Sequence, residues 1–498
     1  MKTMHSVRVP GWAVLPILFF AIGCAAPASE QAPLASPHAD LRDRVVVQLF
    51  EWTWDAVARE CEEFLGPAGY AAVQVSPPSE NHVVEGRPWW ERYQPVSYRL
   101  ETRSGDRAAF ADMVSRCDAA GVEIYVDAVL NHMADADLQH PDRAFTGQGT
   151  AGSTFGSYDY PGLWTWDDFN HCGLTPNDDI QDWDDLTQVR TCELLDLSDL
   201  ATGKENVQDT LAAYLKDLMS LGVKGFRFDA AKHIPPAELA SILQKSVRDP
   251  SFISQADDIP WIYQEVYSGG RQSDWVRAYL PNGPMTEFSY GDMLAEIFRS
   301  RSLGDLAPGG YAWTSREYAP DSLALVFVDN HDTQRHGAAL AHDEPDLYRL
   351  AQVFTLAWPY GRPRVMSSYR FEDTNAGPPD GAPRCPADGG SGNWVCEHRW
   401  PEVVGMVGFR EATASARTVD QWWSDGPDRV AFSRGDRGLV VINRSKQALE
   451  ANIPTSLLPG SYCNVLVAGA CQPVVVGSDG QAAVVVPPMQ ALAIHVGK

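Results

Sequence analysis

Eight short apolar runs recur between residues 45 and 369: Val45–Phe50, Ala71–Val75, Glu123–Val129, Gly225–Asp229, Trp261–Val266, Met285–Tyr290, Leu323–Val328 and Val365–Tyr369. Runs of this length and continuity suit strands buried on both faces. Amphipathic stretches such as Ala108–Ala120 and Val207–Leu221 lie between them. Strands that alternate with helices form a parallel sheet, and eight of them suffice to close a (β/α)8 TIM barrel of the α/β class.

Two stretches break the pattern. Residues 131–196 lose the helical periodicity and are rich in Gly, Asp, Trp and Tyr, which predicts a small domain inserted after the third strand. From about Arg429 the chain turns to Val-rich segments broken by Gly and Pro, which predicts an antiparallel β-sandwich over 416–498. The barrel would then comprise 44–130 and 197–415. A chain of 498 residues has room for this at ~100–200 residues per domain.

The first 23 residues carry Lys2 and Arg8 and then the apolar run Trp12–Ile22, which is too short to span a bilayer and reads as a secretory signal peptide. It ends Ala21-Ile22-Gly23-Cys24, similar to a bacterial lipobox, so a lipid on Cys24 is expected, with plain cleavage a few residues later as the alternative. Residues 24–43 are rich in Ala, Pro and Ser and read as a tether. The product would be secreted or held at the cell envelope.

Nine cysteines make an odd number, which is awkward in an oxidising compartment. With Cys24 set aside, eight remain: Cys61, Cys117, Cys172, Cys192, Cys385, Cys396, Cys463 and Cys471. Pairing neighbours gives 61–117, 172–192, 385–396 and 463–471, but spacing leaves the connectivity open. No C-x2-C pair exists, so zinc is disfavoured. Forty basic against 65 acidic residues leave a net charge of −25, which argues against a nucleic-acid partner. Sixteen Trp offer flat apolar faces of the kind that stack on sugar rings, alongside their ordinary use in a core.

Barrel active sites lie at the C-terminal ends of the strands. There the third run ends Asp127-Ala-Val-Leu-Asn131-His132, the fourth Arg227-Phe-Asp229 followed by Lys232-His233, the fifth Gln264-Glu265-Val266, and the seventh Val328-Asp329-Asn330-His331-Asp332. Three carboxylates at three strand ends, Asp229, Glu265 and Asp332, would crowd one mouth and raise one another's pKa. A carboxylate pair with one member ionised and one protonated is the apparatus of glycoside hydrolysis. Arg227 is two residues before Asp229, so on a strand both face the same way, and the cation would keep a nucleophile ionised.

The segments DAVLNH, GFRFDAAKH, QEV and FVDNHD resemble the four signature regions of the α-amylase clan, glycoside hydrolase family 13. ECEEFLGPAGYAAVQVSPPSENH, WWERYQPVSYRL, TQVRTCELLDL, YGRPRVMSSYR and NWVCEHRW extend the likeness to animal-type α-amylases, including bacterial members of that type, over nearly all of residues 44–498. The resemblance implies an extracellular, retaining endo-α-amylase, a monomer, acting on starch, glycogen and maltooligosaccharides. Another α-glucan reaction of the clan, transglycosylation or maltooligosaccharide release, is the alternative. A binding protein with a dead site is disfavoured because all three carboxylates are present.

Residue by residue, the resemblance makes Asp229 the nucleophile, Glu265 the general acid/base and Asp332 the third carboxylate. His132 and His331 would hydrogen-bond the reacting ring, with Tyr93 beneath it, and Trp89, Trp90 and Gln94 would line neighbouring glucose sites. Arg227 would stand beside the nucleophile, and Lys232 and His233 would lie on the leaving-group side. A structural Ca2+ is implied on Asn131, the backbone carbonyl of Arg190, Asp196 and the backbone carbonyl of His233. An activating chloride is implied on Arg227, Asn330 and Arg364.

Some features depart from the family or are decoys. A fifth disulfide of the animal enzymes has no cysteines here. The segment Thr333–Glu344 resembles their mobile glycine-rich loop but is shorter and poorer in glycine, with His336 as its candidate sugar contact. The stretch from Cys192 to Asp196 is also shortened. Gly147-Gln-Gly149-Thr-Ala-Gly152 fits G-x-G-x-x-G but follows no predicted strand, and the acidic stretch 178–185 lacks the glycine of an EF-hand loop.

Overall fold

A computed structural model describes residues 43–135, 146–385 apart from 254, 256, 257, 268, 270, 271 and 338, and 392–497. The expected signal peptide, Cys24 and the expected tether up to residue 42 lie outside the described residues.

Eight parallel strands close into a barrel: β1 (Val46–Leu49), β2 (Ala72–Val75), β3 (Glu123–Val129), β4 (Gly225–Asp229), β5 (Trp261–Gln264), β6 (Met285–Thr286), β7 (Ala324–Val326) and β8 (Arg362–Ser367). Each pairs with its neighbours in sequence, and β8 closes on β1 through Val46↔Arg364 to Leu49↔Ser367. All eight expected strands are present, most of them trimmed. The sixth is the most reduced: β6 stops at Thr286, and the rest of the apolar run begins the helix Phe288–Ser300. The amphipathic stretches are the helices Arg107–Ala119 and Glu205–Ser220, the first capped by the Asp106 carboxylate on the Ala109 N–H.

The barrel interior is layered. Val46, Ala72, Tyr125, Trp261 and Leu325 form an apolar layer toward the N-terminal end of the strands, joined by Tyr263. Gly225 is required there, because a Cβ would come within 2.3 Å of the Tyr125 ring. Two residues further along β1 to β4 the layer turns polar, with Gln48, Gln74, Asp127 and Arg227 buried and Arg364 of β8 joining them. Period-two alternation places these side chains on the same inner face as the apolar layer below.

After β3, His132–Asp135 pairs antiparallel with Leu197–Asp199, so the excursion between them leaves and rejoins the barrel at one point. Four disulfides, Cys61–Cys117, Cys172–Cys192, Cys385–Cys396 and Cys463–Cys471, resolve the pairing as that of nearest neighbours. Bridges of this number belong to an oxidising compartment. No helix among the described residues is long and apolar enough to cross a membrane.

The C-terminal strands are β9 (Val419–Ser424), β10 (Arg429–Arg434), β11 (Gly438–Asn443), β12 (Leu449–Pro454), β13 (Gly460–Cys463), β14 (Pro473–Val476), β15 (Gln481–Val486) and β16 (Gln490–His495). They form two antiparallel sheets, β9-β10-β11-β16 and β12-β15-β14-β13. Alternate residues of both, among them Leu439, Val441, Ile453, Val484 and Ile494, share one buried cluster, as in a sandwich. The GxGxxG segment is also accounted for: the buried Glu80 carboxylate accepts from the N–H groups of Ala151 (2.9 Å) and Ser153 (3.0 Å). A Cβ at Gly149 would lie 2.3 Å from it, so this glycine loop wraps a side chain and not a phosphate.

Candidate active site

The strand ends converge on Arg227. Its Nη1 donates to Asp127 Oδ1 (2.5 Å) and Asp229 Oδ1 (2.7 Å), and its Nη2 lies 2.8 Å from Glu265 Oε1. A single buried guanidinium thus holds the ends of β3, β4 and the segment after β5 in one constellation. Glu265 is fixed a second time, since its Oε2 accepts from the Ala230 N–H at 2.8 Å. Ala230 adopts a left-handed conformation (φ 49°) that turns the chain away just past Asp229.

Asp127 was only a strand end in the sequence, yet it is central here. Tyr93 donates its hydroxyl to Asp127 Oδ2 (3.0 Å), and Gln74 Nε2 approaches the same oxygen at 3.3 Å. Gln74 Oε1 in turn accepts from Tyr263 (2.7 Å) and Arg364 (2.6 Å). The signal that points to Asp127 is its register, directly across from Arg227 on β4.

Asp332 stands beside His331, with Oδ2 3.3 Å from Nε2. Gln48 Nε2 meets His331 Nδ1 at 3.0 Å, so the amide donates and the imidazole keeps its proton on Nε2, toward Asp332. Tyr93 and Phe50 stack on the two faces of this ring, at 5.1 and 4.9 Å between centroids. His132 Nε2 donates to the Tyr93 carbonyl at 3.0 Å. Burial pushes His132 down to about 4 and His331 well below the usual imidazole range, so both are neutral donors at ordinary pH.

Burial, then repulsion from Glu265, pushes Asp332 up to about 7, against the partial pull of Arg227. Asp229 is also raised, by burial first, with Arg227 opposing and Glu265 and Asp127 adding repulsion. Four carboxyl groups around one guanidinium cannot all be ionised, so the constellation retains a proton near neutrality.

These groups open into a cleft of about 950 Å³ lined by Trp89, Trp90, Tyr93, Gln94, His132, Lys232, His233, His331 and His336 together with Asp229, Glu265 and Asp332. Every sugar contact expected from the sequence lines this space except Arg227, which lies beneath it. Trp183 and Tyr267 belong to the wall and were not anticipated. The Lys232 ammonium lies 5.0 Å from the Trp183 ring and 5.8 Å from that of Tyr267. Trp89 Nε1 donates to the Thr374 carbonyl (2.9 Å) and Trp90 Nε1 to Asn375 Oδ1 (3.1 Å), which ties the opposite wall to the segment after β8.

Asn131, expected in the calcium set, lies beside Asp199. Asn131 Nδ2 donates to Asp199 Oδ1 at 3.0 Å, and Asn170 holds the other oxygen at 2.8 Å. Asp196, the residue expected in the set, lines the cleft. The reason is the pairing of Leu197–Asp199 with His132–Asp135, which brings Asp199 and not Asp196 beside Asn131. His233 Nδ1 donates to the Val189 carbonyl (2.7 Å), which draws the Arg190 segment toward that backbone. Burial pushes the Asp199 carboxyl well up; its side-chain partners are the amides of Asn131 and Asn170, and the buried Glu193 carboxyl accepts from its N–H, a set of oxygens that suits a hard divalent cation.

The expected chloride residues can be tested in the same way. Arg364 is buried, and its Nε and Nη2 lack hydrogen-bond partners among the described residues. Charge from Arg227 adds to burial in lowering the Arg364 pKa. Buried donors without partners beside a second guanidinium suit an anion. Asn330 uses its Oδ1 to cap the loop, accepting from the N–H groups of Asp332 (3.0 Å) and Thr333 (2.8 Å).

A closed parallel barrel with paired carboxylates at its C-terminal mouth and an aromatic-walled cleft is the arrangement of a barrel glycoside hydrolase. Residues 69–287 match the α-amylase catalytic domain, and residues 422–497 match the α-amylase C-terminal all-β domain. An α-amylase of Streptomyces violaceus is 40% identical over 485 residues, spanning 97% of this chain and 79% of the relative. An α-amylase-related protein of Drosophila willistoni is 42% identical over 464 residues, spanning 89% and 91% of the two chains. The solved structure of a mutant of α-amylase I from Eisenia fetida in complex with maltohexaose superposes with a TM-score of 0.83 at 36% identity, covering 92% of this chain and 98% of that one. The chain belongs to the α-amylase family of glycoside hydrolases.

The raised Asp332 carboxyl gives a stability prediction. In the folded chain it binds its proton up to about pH 7, while in the unfolded chain it releases it near 3.8, so folding loses stability as pH rises between these values. Asp332→Asn should therefore melt higher than the unaltered protein at pH 8, and the difference should shrink as pH falls toward 4. Thermal unfolding across that range checks it, and a difference independent of pH would contradict the assignment.

Proposed function

We propose that this chain hydrolyses internal α-1,4-glucosidic bonds of starch, glycogen and related α-glucans with retention of configuration. The observation that carries the reading is Arg227 bridging Asp229 and Glu265. Two carboxyl groups shared by one guanidinium are compatible with the roughly 5 Å separation that double displacement needs. In the first step Asp229 attacks the anomeric carbon while Glu265 gives its proton to the leaving oxygen. In the second, Glu265 takes a proton from water, which releases the sugar from Asp229. Asp332 accepts from and the neutral His331 donates to ring hydroxyls as positive charge develops on the sugar, with His132 beside them in the cleft. The maltohexaose bound by the Eisenia fetida enzyme supports an oligosaccharide in this cleft.

Glu265→Gln keeps shape and removes the titrating proton. It should lower turnover of soluble starch by about 1000-fold or more, within the usual worth of a general acid. Activity near that of the unaltered protein would overturn the role of Glu265. With the unaltered protein, viscosity should collapse before reducing ends accumulate. The reverse order, or transfer of glucosyl units to an acceptor sugar, would favour the other α-glucan reactions.

Calcium is proposed on Asn131, Asp199 and the carbonyls of Arg190 and His233, where it would neutralise the buried carboxylate and tie the inserted segment to the barrel. Chloride is proposed among Arg227, Asn330 and Arg364, where it would offset the charge of the paired guanidiniums beside the carboxyl groups. Activity should rise with chloride, and Arg364→Gln should abolish that dependence. Chelation should lower the melting temperature, with the effect lost in Asp199→Asn and kept in Asp196→Asn. A chloride response that is flat from zero to saturation, or equal chelator sensitivity in both variants, would count against these placements. Export, with lipid attachment at Cys24, completes the reading, and the mass of the mature N terminus distinguishes it from plain cleavage.

A further inference from the structure

Arg335 lies three residues beyond Asp332, in the segment that resembles a mobile loop. Its side chain is nevertheless almost wholly buried, at 6% exposure. The guanidinium carbon stands 4.5 Å from the ring centroid of Phe371, 4.9 Å from that of Trp89, 5.2 Å from that of Phe50 and 5.4 Å from that of Tyr369. Four ring faces around one cation compensate for the hydration that it gives up.

The planar fork is used at both ends. Nη1 donates to the His331 carbonyl, and Nη2 donates to the Tyr369 hydroxyl at 3.0 Å. The Arg335 N–H donates to the Asp332 carbonyl at 2.9 Å. Tyr369 passes the connection on, its hydroxyl donating to the Ala376 carbonyl at 2.7 Å. The segment so anchored holds Trp89 and Trp90 through Thr374 and Asn375.

We propose that Arg335 is a positioning residue. It clasps the peptide bearing His331 and Asp332 to the aromatic wall at Trp89, and so sets the register between the glucose ring at the carboxylates and the rings bound beside it. The inference rests on the reading that Asp332 and His331 contact the sugar. Arg335 itself touches no reacting atom. Lysine at this position would keep the charge but could not bridge a carbonyl and a hydroxyl while lying flat among four rings.

The test is steady-state hydrolysis of maltohexaose by Arg335→Lys and Tyr369→Phe, with thermal unfolding recorded for each. Arg335→Lys should lose about 100-fold in kcat, with KM changed far less, because misplacement by about an ångström near reacting atoms costs that much. Tyr369→Phe keeps the ring and should lose about tenfold, near the worth of one buried hydrogen bond. Should Arg335→Lys fail to fold, Tyr369→Phe decides. If kcat stays within about twofold in the folded variants, so that only the melting temperature falls, the clasp is merely structural and the inference is overturned. Asp332→Asn is run alongside. Normal turnover there would mean that the proposed site has failed, whereas an inactive Asp332→Asn beside a fully active Arg335→Lys would reject the clasp alone.

Discussion

Everything at the mouth of this barrel depends on keeping one positive charge, that of Arg227, away from water. A guanidinium cannot shed its proton, so a buried one must be surrounded by acceptors. Asp127, Asp229 and Glu265 supply them from three different strand ends. The same requirement arranges the chemistry: carboxylates that would fly apart in the absence of the cation are held within reach of one sugar ring. Evolution of such a site is therefore constrained jointly, because loss of Arg227 would leave the acids to repel one another and loss of the acids would strand the cation.

Much of this was legible in the sequence, for identifiable reasons. Strands buried on both faces are continuous apolar runs, and eight of them stood out, although Met285–Tyr290 was read too long because Phe288 and Tyr290 serve a helix and not β6. Asp229, Glu265 and Asp332 stood out because they sit at strand ends in segments with strong family likeness. Asp199, proposed above in place of Asp196, was not singled out because two aspartates three residues apart both suit an oxygen ligand, and only the ladder to His132–Asp135 says which one lies beside Asn131. Asp127 and Gln74 were passed over because nothing in a linear segment shows that Asp127 faces Arg227 on the next strand or that Gln74 meets Arg364 of β8. Arg335 was hidden by its loop, since its aromatic partners lie at positions as distant as Phe50 and Phe371.

The two walls of the cleft are built differently. On one side Trp89 and Trp90 are tied by their indole N–H groups to the segment after β8, which fixes their orientation. On the other, Trp183 and Tyr267 are about half exposed and meet around Lys232, with hydrocarbon, ring and charge all available to a passing sugar.

The polar layer inside the barrel also bears on how the chain reaches its folded form. Gln74 on β2 accepts from Arg364 on β8 and donates toward Asp127 on β3, so its partners come from opposite ends of the barrel sequence. An assembly lacking the last strand would expose a seam of unsatisfied polar groups at its centre instead of a smaller, self-sufficient core. Half-barrels are thereby penalised as resting states, and ring closure becomes a cooperative event that the eighth strand completes.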